Sequence, residues 1–343
     1  MKRIGGDILE RIASTENIEA AVRESLRNRA KRNALTMDSR KFLKDRAMNV
    51  AAIRMYLLSG DLPDIVYRTF YRQEHGKRRK IDWNPSFRDN VIQHAIVRVV
   101  GKLLVDKMIP DTYSGIKGRG PSYGLVRIRR HMRRFDGRPL YVLKFDIYHY
   151  YQSVDTVLLK TVLRKYIKSE GLLRILDRII DSHPEGLPIG NYISQLLANI
   201  YLTEFDHWVR RELGLVVMRY CDDIVILAGS KSELWDALEK ARRYFGGLRL
   251  SVKPDVQVFP VERHGVDFMG FVVTRRQVLL RKRIERSLRR SARRFNEAPS
   301  FNRYASLASY YGWTKAVSRG DLLWKRVVGK PLDACLAESK EAA

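Results

Sequence analysis

Two apolar runs, Val216-Val-Met-Arg-Tyr and Ile224-Val-Ile-Leu, are joined by nothing more than Cys221-Asp-Asp. Short runs rich in β-branched residues read as strands, and so short a joint permits only a tight antiparallel hairpin. Two adjacent carboxylates therefore sit at a hairpin tip. A further strand, Tyr141-Val-Leu-Lys-Phe-Asp, ends in Asp146. Carboxylates set among Val, Ile, Leu and Phe are costly to bury unless a cation compensates them. Mg²⁺ suits the task, because it takes hard oxygen ligands and keeps waters that a phosphate can replace, with Mn²⁺ as the alternative ion. Two such ions, about 3.5–4 Å apart, would stabilise the attacking and leaving oxygens of a phosphoryl transfer. Each of Asp146, Asp222 and Asp223 taken singly reads equally well as an ordinary turn aspartate.

The rest of the chain surrounds these strands with helices. Apolar positions three to four apart mark helices from about residue 8 to residue 60, the clearest over residues 40–58. Residues 65–71 switch to period two. With residues 80–83 beyond a polar turn at 73–77, they form a hairpin with basic residues on its tip. Helical spacing returns over residues 87–105, and residues 110–124 are Gly-rich and irregular. Helices are expected over 156–181, over 191–213 after a loop at 186–190, and over 231–245, with a strand at 248–252. Between Arg275 and Arg294 ten Lys or Arg accompany one acid, Glu285, around Ile284 and Leu288. Such a helix packs one side and offers the other to a phosphate backbone. Aromatics lie between Tyr304 and Trp313, and residues after Pro331 read as a tail. The sum is an α+β organisation, an antiparallel sheet with helices on one face.

Charge narrows the partners. The 343 residues hold 65 Lys+Arg against 38 Asp+Glu, a formal charge of +27, which favours a polyanion and nucleic acid first. Hydrophobic residues, 45% of the chain, are spread along its length, which suits an enzyme of two or three subdomains. A ribosomal-type structural protein or a membrane-surface binder needs no such content. Cys221 and Cys335 alone cannot build a disulfide framework or a Cys-rich zinc site. With no apolar leader after Met1 and no run of membrane-span length, a cytoplasmic location without a membrane partner is expected.

The motifs, taken together and in order, resemble those of the reverse transcriptase family. Phe145-Asp-Ile-Tyr-His-Tyr-Tyr-Gln-Ser-Val-Asp155 is similar to its first catalytic motif, residues 186–199 to its second, and Tyr220-Cys-Asp-Asp223 to its Tyr-x-Asp-Asp box. Residues 248–253 and Phe268-Met-Gly-Phe271 resemble the following loop and the primer grip. The resemblance implies a right-hand polymerase fold: an N-terminal helical extension (1–64), fingers (65–140), a palm (141–274), and a basic helical thumb and tail (275–343). It implies that Asp146, Asp222 and Asp223 are catalytic and hold two metal ions, with the Ile147 carbonyl as an added ligand. Tyr151, five positions after Asp146, matches the steric gate against a ribose 2′-hydroxyl; the bland alternative is a core tyrosine. Lys77 and Arg79 match residues that hold the incoming triphosphate. Lys253 is a proton donor to pyrophosphate, a phosphate contact or a solvated surface lysine. Gln195 and Asn199, four apart on one helix face, either line the nucleotide pocket or pair inside the palm. Arg281, Lys282, Arg286, Arg290 and Arg294 match thumb contacts to nucleic acid.

Two departures refine the resemblance. Many relatives carry Arg-Pro after Tyr113-Ser-Gly, where this chain has Ile116-Lys-Gly-Arg-Gly, so Lys117 or Arg119 takes that contact. Most relatives read Gln-Gly-x-x-x-Ser-Pro in the second motif, whereas Ile189-Gly190-Asn-Tyr-Ile-Ser-Gln195 follows the pattern of diversity-generating retroelement reverse transcriptases. That subfamily implies error-prone copying, at adenines, of a template-repeat RNA into cDNA from dNTPs. It also implies a small basic helical-bundle accessory protein. A retron or antiphage-defence reverse transcriptase is the runner-up, and a non-catalytic RNA-binding scaffold the reading from another class.

Overall fold

The structure, a computed structural model, describes residues 3–30, 35–74 and 77–341. Four helices open the chain: α1 (Ile8–Ile12), α2 (Thr15–Ala30), α3 (Met37–Lys44) and α4 (Arg46–Ser59). The single helix expected over residues 40–58 is two, because Asp45 leaves the helical region at φ −113°, ψ 43°. Asn49 Nδ2 donates to Phe42 O at 3.0 Å and satisfies a carbonyl near the break. The hairpin of β1 (Arg68–Glu74) and β2 (Lys77–Trp83) forms as period two requires, in register from Arg68↔Trp83 to Glu74↔Lys77. α5 (Phe87–Val105) has the expected bounds. Ser86 caps it by accepting from Asp89 N–H, and its buried Val91, Ala95, Ile96 and Leu104 belong to a helix packed on α2.

α6 (Pro121–Arg133) begins inside the segment read as irregular, with Pro121 in the first turn where no N–H is needed. β3 (Tyr141–Asp146) matches its expected bounds and is followed by α7 (Tyr150–Ser153), α8 (Thr156–Tyr166) and α9 (Glu170–Asp181). The continuous helix expected over 156–181 breaks at Ile167, which is extended and bridged to Ile4. Ile4 N donates to Tyr166 O at 2.7 Å and Lys168 N to Ile4 O at 2.8 Å. The helix expected over 191–213 also divides, into α10 (Ser194–Tyr201) and α11 (Thr203–Arg211). At that break Asn199 O is engaged by Arg219 Nη2 at 3.1 Å and Thr203 Oγ1 at 3.0 Å, a competition with the helical ladder.

β4 (Val216–Tyr220) and β5 (Asp223–Ala228) flank the two-residue turn, and α12 (Lys231–Gly247) follows. The strand expected over 248–252 does not form. Arg249 takes a left-handed φ of 55°, Leu250 N turns back to Phe245 O at 2.8 Å, and Val252 makes a lone bridge to Ile147. β6 (Gln257–Pro260), α13 (Val261–His264), β7 (Val266–Phe268), β8 (Phe271–Val273) and β9 (Val278–Leu280) precede four helices. These are α14 (Lys282–Glu297), α15 (Phe301–Thr314), α16 (Gly320–Val328) and α17 (Leu332–Glu341).

Two compact units alternate along the chain. One comprises Met1–Ile116, Phe145–Ile224 and Leu238–Asp255; the other comprises Lys117–Lys144, Val225–Ala237 and Val256–Ala343. The strand order of the larger sheet is β4-β5-β3-β6. In the second unit, β3 pairs antiparallel with β6 from Tyr141↔Pro260 to Lys144↔Gln257, and β7, β8 and β9 form a meander. Leu288, Ala292 and Phe295 of α14 share one core with Leu307, Trp324, Val328 and Cys335. The residues after Pro331 are therefore not a tail: Cys335 on α17 is fully buried. Among the described residues no helix is long and apolar enough to cross a membrane.

Candidate active site

All three aspartates lie in the first unit. β3 delivers Asp146 at its end, and the backbone there is pinned on both sides of the buried Ile147. Lys253 N donates to Asp146 O at 2.9 Å, and Tyr148 N to Ser251 O at 2.8 Å. The Lys253 ammonium returns to Asp146 Oδ2 at 3.2 Å. Asp222 comes from the turn between β4 and β5, and Asp223 is the first residue of β5. Cys221, first of the turn's two central residues, has φ 60°, which is the pattern of a type II′ hairpin turn.

Electrostatics join these groups. Burial pushes the Asp222 carboxyl above the usual carboxylate range, and the Asp146 charge adds to the rise, while Lys253 and Arg79 pull it back. Asp146, Asp222, Lys253 and Arg79 thus share one neighbourhood. Asp223 is half-buried and opens β5. Among the described residues, no three His, Cys, Asp or Glu form a group able to hold a metal ion. The fit is therefore to a pair. Two hard-oxygen ligands, one destabilised as an anion, suit a divalent cation that completes its shell from water or phosphate. Bound there, such an ion supplies charge that stabilises oxygens of a transferring phosphoryl group.

The loop over residues 186–190 is wedged between two backbones. A Cβ on Gly186, whose φ is 50°, would stand 2.3 Å from Tyr151 O, and one on Gly190 would stand 2.6 Å from Asp82 O and Trp83 Cα. Leu187 N donates to Tyr151 O at 2.8 Å, and Gly190 N to Asp82 O at 3.2 Å. Ile189 lies between these fixed points and is 37% exposed. Tyr151 is half-buried, and its hydroxyl accepts from the Cys221 thiol at 3.5 Å. Burial, with the nearby Asp222 charge, pushes that thiol up to about 11. Gln195 Nε2 donates to Ser114 Oγ at 2.5 Å and Asn199 Nδ2 to Ser114 O at 2.8 Å, so both face the 113–115 segment. Arg79 is exposed on β2; the Lys77 side chain lies outside the described residues.

The expected thumb contacts lie in the second unit. Lys282, Arg286, Arg290 and Arg294 are exposed on α14, opposite buried Leu288, Ala292 and Phe295. Arg290 and Arg294 line a groove of about 710 Å³ with Arg303, Ser306 and Tyr310. Arg281 stands apart, ion-paired to Asp267 at 2.6 Å.

Sequence reasoning missed two features of the first unit. His183 is buried and places Nε2 3.2 Å from Asp82 Oδ2, joining β2 to the start of the glycine loop. Arg219 and Asp206 form an ion pair in which neither side chain is exposed. The signal for the latter was present: Arg219 interrupts an apolar strand just before the acid-bearing turn.

Comparison with known proteins bears on the family and the fold. The sequence model of the family described as reverse transcriptase (RNA-dependent DNA polymerase) matches residues 84–273, more than half of the chain and all three aspartates. Protein YkfC of Escherichia coli (strain K12) is 23% identical over 277 residues, 67% of this chain and 72% of YkfC. The group II intron-encoded protein LtrA of Lactococcus lactis subsp. cremoris is 26% identical over 157 residues, 43% of this chain and 26% of LtrA. Apo telomerase from Candida tropicalis has a similar structure, with TM-score 0.51 at 12% identity, covering 87% of this chain and 62% of that one. The chain thus spans less than two thirds of the telomerase and about a quarter of LtrA. At that identity the telomerase likeness shows the fold alone, the mixed helix-and-sheet right-hand polymerase fold. With its motifs in order and the family match over most of its middle, the chain belongs to the reverse transcriptase family, the RNA-dependent DNA polymerases.

Proposed function

We propose that this chain copies an RNA template into cDNA from dNTPs, with Asp146 and Asp222 as the principal metal-holding carboxylates. The observation that carries this reading is Asp146 at the end of β3, paired with Lys253 at 3.2 Å, with its charge acting on the buried Asp222 of the β4–β5 turn. Reverse transcriptases generally use divalent metal ions. Here we assign two Mg²⁺, replaceable by Mn²⁺, with Asp223 and the Ile147 carbonyl as further ligands. Arg79, with Lys77, meets the triphosphate; Tyr151 screens the sugar; Gly190 and Gln195 border the nucleotide. We assign residues 65–140 to fingers, 141–274 to palm and 275–343 to thumb, after a helical extension over 1–64. The test is primer extension on an RNA template by Asp222→Asn. The variant should fold and bind RNA while losing nucleotide addition. Extension at more than a small fraction of the wild-type rate would remove Asp222 from catalysis.

The finer reading is a diversity-generating retroelement enzyme working in the cytoplasm on a template-repeat RNA with a small helical accessory protein. Its support is Ile189 in place of the usual glutamine, in a loop whose backbone is held at both ends. An apolar side chain there removes a polar constraint on the base pair, and a selectivity loss of about 1.4 kcal/mol raises misincorporation tenfold. Ile189→Gln should therefore lower errors opposite template adenines, read by sequencing cDNA from one RNA containing all four bases. Faithful copying of adenine by the wild-type protein, with its own RNA present, would favour a retron or defence role.

A further inference from the structure

Arg219 lies within β4, and its side chain is completely buried. Every N–H of its guanidinium has an acceptor. Nε meets Asp206 Oδ1 at 2.9 Å and Oδ2 at 3.0 Å, while Nη2 donates to Asp206 Oδ2 at 2.7 Å and Asn199 O at 3.1 Å. Nη1 donates to Asn199 Oδ1 at 3.2 Å and to Cys221 O at 3.1 Å. The surroundings are equally fixed: Arg219 N donates to Asp111 O at 2.9 Å, Tyr113 N to Arg219 O at 3.0 Å, and Thr112 Oγ1 to Asp206 Oδ2 at 3.0 Å.

Stability alone is a weak reason for such an arrangement, since a buried ion pair is often matched or bettered by apolar residues of similar volume. An apolar pair would lack one thing, the directed donor to Cys221 O. That carbonyl belongs to the planar peptide joining Cys221 to Asp222, so holding it fixes the plane from which the Asp222 side chain departs. Cys221 is also the turn residue with positive φ, a conformation a non-glycine residue keeps only when its surroundings hold it.

We propose that Arg219, itself held by Asp206 and Asn199, is a positioning residue that locks the Cys221–Asp222 peptide and so fixes the direction in which the Asp222 carboxylate leaves the turn. This rests on the reading of Asp222 as a catalytic carboxylate. Asp206 and Asn199 serve the same end by leaving the guanidinium one orientation.

The chain's two cysteines provide a readout independent of catalysis, since Cys221 lies in the turn and Cys335 in the core of the second unit. Iodoacetamide labelling of each, timed by mass spectrometry, is compared among wild type, Arg219→Lys and the double variant Asp206→Leu/Arg219→Met. Lysine can still pair with Asp206 but cannot span Asp206, Asn199 and Cys221 O together. The double variant removes the charges as a pair. In both, Cys221 should label about tenfold faster with Cys335 unchanged. Primer extension should lose about tenfold or more in kcat with little change in KM for dNTP, the signature of a lost transition-state interaction. An unchanged Cys221 rate in Arg219→Lys overturns the proposal, as does faster labelling with wild-type kcat. If Cys335 accelerates equally in the double variant, that variant is unfolding, and Arg219→Lys decides by the same criteria. Asp222→Asn runs in parallel: residual extension there sinks the parent reading. An inactive Asp222→Asn beside a wild-type-like Arg219→Lys sinks the positioning role alone.

Discussion

An unneutralised Asp222 works against the fold that contains it. Its carboxyl is raised by burial and by Asp146, so the charged form is less favourable in the folded chain than in the unfolded one. Below the ordinary carboxylate range the group is protonated in both states and the penalty is absent. The penalty grows as pH climbs from the unfolded value and is fully present once pH exceeds the raised folded one. In EDTA at pH 7, Asp222→Asn should therefore melt above wild type, by about 1–2 °C for each kcal/mol of penalty removed. Adding Mg²⁺ should raise the wild-type midpoint and leave the variant's nearly still. A variant that melts lower than wild type without metal would mean that Asp222 is stabilised by contacts other than a cation. The strand-end and turn positions of the acids were legible in the sequence, but each alone read as an ordinary turn aspartate, and only the order of the motifs around them set them apart. Arg219 was less legible, since its partner Asp206 lies thirteen residues away on a helix whose break the sequence did not reveal.

Elements were legible where one local rule sufficed. The existence of the β1–β2 hairpin, the bounds of α5 and β3, and the Asp-bearing turn follow from local pattern, although β1 starts three residues later than expected and both strands run into the segment read as a turn. Helix breaks were missed where the cause is tertiary: Ile4 bridges Ile167, and Arg219 takes the Asn199 carbonyl. The sequence also could not show which backbones press on Gly186 and Gly190, which come from Tyr151 and Asp82. For α14 the pattern was enough to separate a packed face from a basic one, though not to show that Arg281 is paired with Asp267. If the basic face lies along a phosphate backbone, Arg286, Arg290 and Arg294 changed to Gln should flatten the salt dependence of RNA binding. The slope of log K against log salt should fall by roughly 0.7–0.9 for each phosphate that is no longer neutralised. Dissociation constants at four or five salt concentrations measure it, and an unaltered slope would place the nucleic acid on another surface.

At the scale of the molecule, the C-terminal residues are part of a core. Removing residues 332–343 takes away α17 and uncovers the cluster of Leu288, Phe295, Leu307 and Trp324. A loss of roughly 2–5 kcal/mol is expected for emptying such a core position, seen as earlier unfolding and faster hydrogen exchange in α14 and α15. Wild-type protection in the shortened chain would restore the view of this segment as a tail. The alternation of the two units bears on the order in which the protein is made. β3 emerges long before its partner: Lys144 must wait for Gln257 before that pairing can close. At about 5–20 residues per second, a nascent chain carries this strand with an open edge for several seconds. The first unit needs Leu238–Asp255 and the second needs Val256–Ala343, so a ribosome paused before residue 238 holds neither one complete. Codon-level slowing in that stretch, or a shortage of chaperones, would thus be felt as lost yield of the entire protein, with no folded half surviving.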